Sequence, residues 1–138
     1  TAGHIGTAWA WYLLSPNWAD LFDDENQPSS YADLSKTTSS GDKKLRKIAV
    51  LMTDGEYNTS FNGADPVADA ETLCANIKAS GIEIYSVGFG LNEGSATEQM
   101  LKSCASDASK YYRATTGDAL KSAFRDIALQ ATPLRISK

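Results

Sequence analysis

Lys47-Ile48-Ala49-Val50-Leu51-Met52-Thr53-Asp54-Gly55-Glu56 decides the architecture. An unbroken apolar run ends abruptly at a carboxylate followed by glycine. Such a run reads as a strand buried on both faces that delivers Asp54 to its C-terminal end. In open α/β sheets, ligands bind at that edge.

Downstream, loop 55–64 carries the turn residues Asn58, Asn62 and Gly63. Asp65-Pro66 then predicts an N-cap with proline at the first helical position. Val67, Ala70, Leu73, Cys74 and Ile77 form the apolar face of that helix, and Gly81 closes it. Residues 82–90 read as a second strand. Ser95-Ala96-Thr97-Glu98 matches a capping box opening a helix to about Ala105. A short strand over 110–114 and a helix over 117–131 follow, with Leu120, Ala123, Phe124, Ile127 and Ala128 inward.

Upstream, 2–14 is helical, with Ile5, Ala8, Trp9, Tyr12 and Leu13 at helical spacing and Ser15-Pro16 as its stop. The polar stretch 17–42 reads as a long surface insertion, pinned at its start by Trp18, Leu21 and Phe22. Strand–helix repeated three times implies parallel strands with helices on both faces, an α/β class. Three strands make a narrow sheet, and the first wants a neighbour on each side. With Thr1 standing at the approach to a helix, residues 1–138 read as the C-terminal part of a single domain whose first strands precede this stretch.

Composition narrows the function classes. Hydrophobic residues at 42% and charged residues at 22% fit a globular domain with a real core. A net charge of −4 and no Lys/Arg stripe argue against a nucleic-acid partner. The local cluster Lys43, Lys44, Arg46, Lys47 reads as a solvated approach to the strand. No segment has the ~20 apolar residues of a bilayer span, so any membrane anchor belongs to the preceding part. His4 is the sole histidine and neither cysteine has a partner at metal spacing, which excludes a Cys/His zinc site. Cys74 and Cys104 fit one disulfide in an oxidising compartment or two buried thiols on helix faces, with the balance slightly to the disulfide.

Asp54 and Glu56 are the first candidates for chemistry. No nucleophile–His–acid set or Gly-x-Ser-x-Gly elbow accompanies them. Gly88-Phe89-Gly90 lacks the rest of a dinucleotide fingerprint. Two readings of Asp54 stand level: a cap or loop hydrogen-bond acceptor at a strand end, or a ligand to a hard divalent cation. Mg²⁺ takes oxygen ligands and keeps several waters, so one carboxylate with nearby hydroxyls such as Thr53, Thr59, Ser60 or Thr1 is a workable start.

Thr53-Asp54-Gly55-Glu56 after an apolar strand, then a helix, then Ile82-Glu83-Ile84-Tyr85-Ser86-Val87-Gly88-Phe89-Gly90, resembles the C-terminal half of a von Willebrand factor A domain. The resemblance implies a Rossmann-like, doubly wound, mostly parallel sheet. It also implies a metal-ion-dependent adhesion site made from an Asp-x-Ser-x-Ser loop, a separate Thr, and the Asp of the Thr-Asp-Gly strand end. Asp54 matches the last and Thr1 fits the threonine, whereas the Asp-x-Ser-x-Ser loop does not occur here. Mg²⁺, Mn²⁺ or Ca²⁺ is therefore expected only where that loop is present.

Further pieces are similar to the TadG-like proteins of Tad (tight adherence) pilus assembly. They are His4-Ile5-Gly6, the Trp9–Pro16 stretch, Leu73–Lys78, Leu101–Ser106, and Leu134-Arg135-Ile136. This likeness implies a periplasmic or cell-surface domain on a bacterial membrane anchor, with pilus or cell-envelope proteins as partners. The placement suits a Cys74–Cys104 disulfide. Glu56, Tyr57 and Phe61 on the loop beside the site are expected to meet the partner; the plainer alternatives are Tyr57 and Phe61 folded back as anchors and Glu56 as a solvated loop residue or supporting acceptor. Trp9 and Tyr12 read as core, Trp11 and Trp18 as surface. The leading functional expectation is a non-enzymatic module that binds a partner carboxylate through the metal. The alternatives are a metal-dependent hydrolase using Asp54, and a structural domain with a vestigial site that acts through 17–42.

Overall fold

The computed structural model describes residues 2–60 and 63–132. Helix α1 (Gly3–Leu14) precedes β1 (Ile48–Thr53), α2 (Pro66–Ala79), β2 (Glu83–Phe89), α3 (Ala96–Cys104), β3 (Tyr111–Ala114) and α4 (Gly117–Ala131). The strands form a parallel sheet in the order β1-β2-β3, with Ile48 opposite Glu83 and Ser86 opposite Tyr111. All three strands therefore end on one edge.

Side chains alternate across a strand, so β2 feeds two cores. Ile84 joins Leu51, Cys74, Ile77, Met100 and Leu101 on the side of α1, α2 and α3. Tyr85 and Val87 meet Ile127 of α4 on the other. This is the α/β sheet with helices on both faces that the sequence predicts. A disulfide joins Cys74 of α2 to Cys104 of α3 across a Cα–Cα distance of 5.0 Å. Both cysteines are buried, so the bond staples the two crossover helices beneath β2.

Helix α2 begins and ends as its sequence dictates. Asp65 accepts hydrogen bonds from the Val67 and Ala68 amides, and Pro66 takes the first position. At the far end Gly81 adopts φ +84°, its amide bonds Lys78 O, and the Ile82 amide bonds Ile77 O. That bond pair is a Schellman stop, which needs a left-handed residue and so favours glycine.

Four expectations are corrected. First, β1 is not buried on both faces: Ala49, Leu51 and Thr53 are buried, but Val50 and Met52 are 41% and 43% exposed. The strand lies at the sheet edge, and α4 packs on β3 and β2 instead. For the same reason Phe124 and Ala128 of α4 are exposed, leaving Leu120, Ala123 and Ile127 inward.

Second, the tryptophans of α1 exchange roles. Trp9 is exposed, whereas Trp11 packs against the core and donates its indole N–H to Tyr31 Oη at 3.0 Å. Third, 17–42 is not plain loop. It overlaps the 3-10 turns Pro16–Leu21, Asp24–Asn26 and Tyr31–Ser35, and it is held by Trp18 stacked on Tyr12 at 4.5 Å while Leu21 faces solvent.

Fourth, half of the basic cluster is structural. Neighbouring residues point to opposite faces, and Arg46 and Lys47 use that alternation. Arg46 makes a two-pronged ion pair with Glu83 at 2.9 and 2.8 Å, and also donates to Gln130 O and Ala131 O at the end of α4. Buried Lys47 donates to Leu14 O at the end of α1 at 2.5 Å. A cation at a helix C-terminus meets unsatisfied carbonyls and the negative end of the helix dipole. Burial lowers the Lys47 pKa, against the opposing pull of Tyr31 and Asp33.

Candidate functional site at the C-terminal edge of the sheet

The turn after β1 is built by Thr53. Its buried hydroxyl donates to Gly55 O at 2.9 Å and accepts from the Gly55 amide at 3.3 Å. With Thr53 held inward, the next side chain falls on the outside. Asp54 is exposed, and its carboxylate makes no hydrogen bond or ion pair with the described residues. It caps nothing.

The following residues are fastened to α3. Thr97, fully buried, donates its hydroxyl to Glu56 Oε2 at 2.6 Å and accepts from the Tyr57 amide at 3.0 Å. Glu56 thereby sits at the positive end of α3, which favours a carboxylate. Its role is to tie the loop down as a supporting acceptor.

Tyr57 is corrected as a partner contact: it folds back into the core and is 7% exposed. Its ring lies against Gly3 so closely that a Cβ there would stand 1.9 Å from Tyr57 Cζ. Burial raises the phenol pKa, with the Thr7 hydroxyl opposing. Tyr57 thus locks the β1 loop to the start of α1. Phe61 and Thr1, expected as partner contact and metal ligand, lie outside the described residues, as does Leu134-Arg135-Ile136.

The neighbouring loop is held by a buried carboxylate. Glu98 Oε2 accepts from the Gly94 amide at 2.6 Å, and Oε1 takes Tyr111 Oη at 3.0 Å with Lys102 and Arg113 nearby. The Gly94 amide is the main cause of its lowered pKa; burial opposes it, and Lys102 and Tyr111 add to it. Tyr111 is pushed up to about 12, by burial first and then by Glu98. The capping box forms by half: Ser95 accepts from the Glu98 amide, while the Glu98 carboxylate reaches Gly94 rather than the Ser95 amide.

Sequence reasoning missed Thr97, the residue that orients Glu56. Its signal was present in the capping-box sequence, but the partner lies 41 positions away.

A family model for the von Willebrand factor type A domain matches residues 30–126. The chain belongs to this family. Curated proteins and solved structures give no significant match. Von Willebrand A domains are generally non-enzymatic interaction modules, and many hold a divalent metal. Among the described residues no group of three or more His, Cys, Asp or Glu side chains could hold one. Of the carboxylates and hydroxyls beside the turn, Asp54 has no partner among the described residues, whereas Glu56 is engaged by Thr97 and Thr53 by Gly55. No described helix is long and apolar enough to cross a membrane.

Proposed function

We propose that this von Willebrand A domain is the interaction module of a TadG-like pilus-assembly protein. It binds a carboxylate on a pilus or cell-envelope protein through a divalent cation, Mg²⁺, Mn²⁺ or Ca²⁺, for which Asp54 is one ligand. The observation that carries this reading is the Asp54 carboxylate, exposed at the end of a parallel strand and unengaged among the described residues. A hard cation that exchanges water for carboxylate makes a strong, directional contact over a small area. Thr1 and an Asp-x-Ser-x-Ser loop from preceding sequence are the further ligands we assign, and we take residues 1–138 as the C-terminal part of one domain.

Exposure of Val50 and Met52 on edge strand β1 supports that assignment, because a bare apolar edge is an association hazard that a further strand removes. The Cys74–Cys104 disulfide suits a periplasmic or cell-surface placement, with the membrane anchor in preceding sequence. The reaction is binding rather than catalysis, and Phe61 remains a proposed partner contact.

The test uses a chain extended to include the Asp-x-Ser-x-Ser loop. Partner capture from envelope extracts should depend on Mg²⁺ and be lost in Asp54→Ala. Capture that persists unchanged in EDTA would eliminate the metal-mediated reading. Phosphatase or esterase activity lost in Asp54→Asn would move the protein to the hydrolases.

A further inference from the structure

Residues 56–60 read Glu56-Tyr57-Asn58-Thr59-Ser60. An asparagine followed two residues later by serine or threonine, with no proline between, is the acceptor pattern for an N-linked glycan. The chain has six asparagines, and only Asn58 has a hydroxyl two residues on. Asn17, Asn26, Asn62, Asn76 and Asn92 are followed at that position by alanine, proline, alanine, lysine and glycine.

In an extended chain alternate side chains share a side, so Glu56, Asn58 and Ser60 then stand in one row. A carboxylate and a hydroxyl bracket the acceptor amide at equal spacing, where a single protein surface can read all three. The fold has room for the product. Tyr57 turns into the core, whereas Asn58, Thr59 and Ser60 are exposed in backbone that belongs to no helix or strand. A bulky, hydrophilic group on Asn58 is therefore carried outside the core.

We propose that Asn58 is a glycan-bearing residue, which takes an oligosaccharide from a lipid-pyrophosphate donor at the membrane that exports the chain. Asn58 Nδ2 attacks the anomeric carbon of the first sugar. A C–N bond forms, the bond from that carbon to the pyrophosphate oxygen breaks, and the lipid pyrophosphate leaves with the electron pair. One Nδ2 proton passes to a base of the transferase, and nothing is oxidised or reduced. The proposal rests on the periplasmic or cell-surface placement given above and is independent of any metal at Asp54.

The fold also fixes the order of events. In the folded chain Glu56 Oε2 accepts the Thr97 hydroxyl at 2.6 Å, the Tyr57 amide donates to Thr97 at 3.0 Å, and the Tyr57 ring is buried. The row cannot be drawn out as an extended strand while those contacts stand. The sugar is therefore added to the incoming chain before α3 docks on the loop.

The test is mass spectrometry of the protein isolated from the cells that make it, with free thiols alkylated at lysis. The peptide containing Asn58 should carry a sugar increment on that residue, and Cys74 should be joined to Cys104. The increment should vanish in Asn58→Gln and Ser60→Ala, persist in Ser60→Thr, and fall severalfold in Glu56→Gln. Folded protein made without a transferase should stay bare when incubated with membranes of those cells; equal modification there overturns the order of events. Asn58 bare in a chain whose disulfide is formed overturns the proposal and leaves the placement standing. Asn58 bare with both thiols free overturns the two together. A sugar that persists in Asn58→Gln belongs to a hydroxyl such as that of Thr59, and likewise overturns the proposal.

Discussion

The two ends of β1 treat their charges in opposite ways. At the start, Arg46 and Lys47 are bound on both faces of the sheet: Arg46 to Glu83 and the last carbonyls of α4, Lys47 to the last carbonyl of α1. At the finish, Thr53 turns its hydroxyl inward to close the turn, and Asp54 extends outward without a partner among the described residues. One strand thus serves as an anchor at its beginning and a presenting arm at its end. Charges at the start answer to stability, and the charge at the end is free to answer to a ligand.

That contrast can be broken or sharpened by substitution, against the disulfide as yardstick. Replacing Cys74 and Cys104 together by Ala frees a loop of sequence separation 30. It should cost about 3–4 kcal/mol by urea unfolding. Arg46→Met leaves Glu83 and two helix-end carbonyls without their cation. The pair is partly exposed, so the expected loss is about 2 kcal/mol, with a positive coupling to Glu83→Gln in a double-mutant cycle. A loss below about 0.5 kcal/mol would remove the anchor from the account. Lys47→Met should cost about 1 kcal/mol, because relief from burying the ammonium offsets part of the lost carbonyl bond.

The anchor also has a pH signature. Arg46 holds Glu83 below its ordinary carboxylate pKa against the effect of burial, and Glu98 is lowered chiefly by the Gly94 amide. Asp107 is brought to about 2, by Lys110 first and then Ser109. Depressed carboxylates bind fewer protons in the folded state, so their contribution is whole above the unfolded pKa values, about 4, and fades as pH falls toward 2. Stability measured from pH 6 to pH 2.5 should decline across that window, and less steeply in Glu83→Gln. A decline of identical slope in that variant would detach Glu83 from the effect.

The order of elements was legible because local signals agree: apolar strands, an Asp-Pro helix start and a Gly81 stop. What failed depends on distant contacts. Val50 and Met52 look like core until the sheet is known to end at β1. Trp9 and Trp11 cannot be ranked by periodicity in a helix that is apolar all round. Arg46 reads as a solvated charge because its acceptors lie as many as 85 positions away. At the C-terminal edge of the sheet, the position of Asp54 just past β1 was legible from the apolar run before it. Tyr57 was not: an aromatic on a polar loop says nothing of the Gly3 surface that receives it, nor Thr97 of the Glu56 it holds.

The smallest expected effect belongs to Asp54 and tests the central claim. Urea unfolding of Asp54→Asn, in a chain that includes the Asp-x-Ser-x-Ser loop, is compared with the parent with and without Mg²⁺. Without the ion the two should agree within about 0.5 kcal/mol, as for a surface residue with no structural partner. With it the parent alone should gain stability, by an amount that rises with ion concentration. A large loss in the metal-free variant, or an equal Mg²⁺ response in both proteins, would contradict the account.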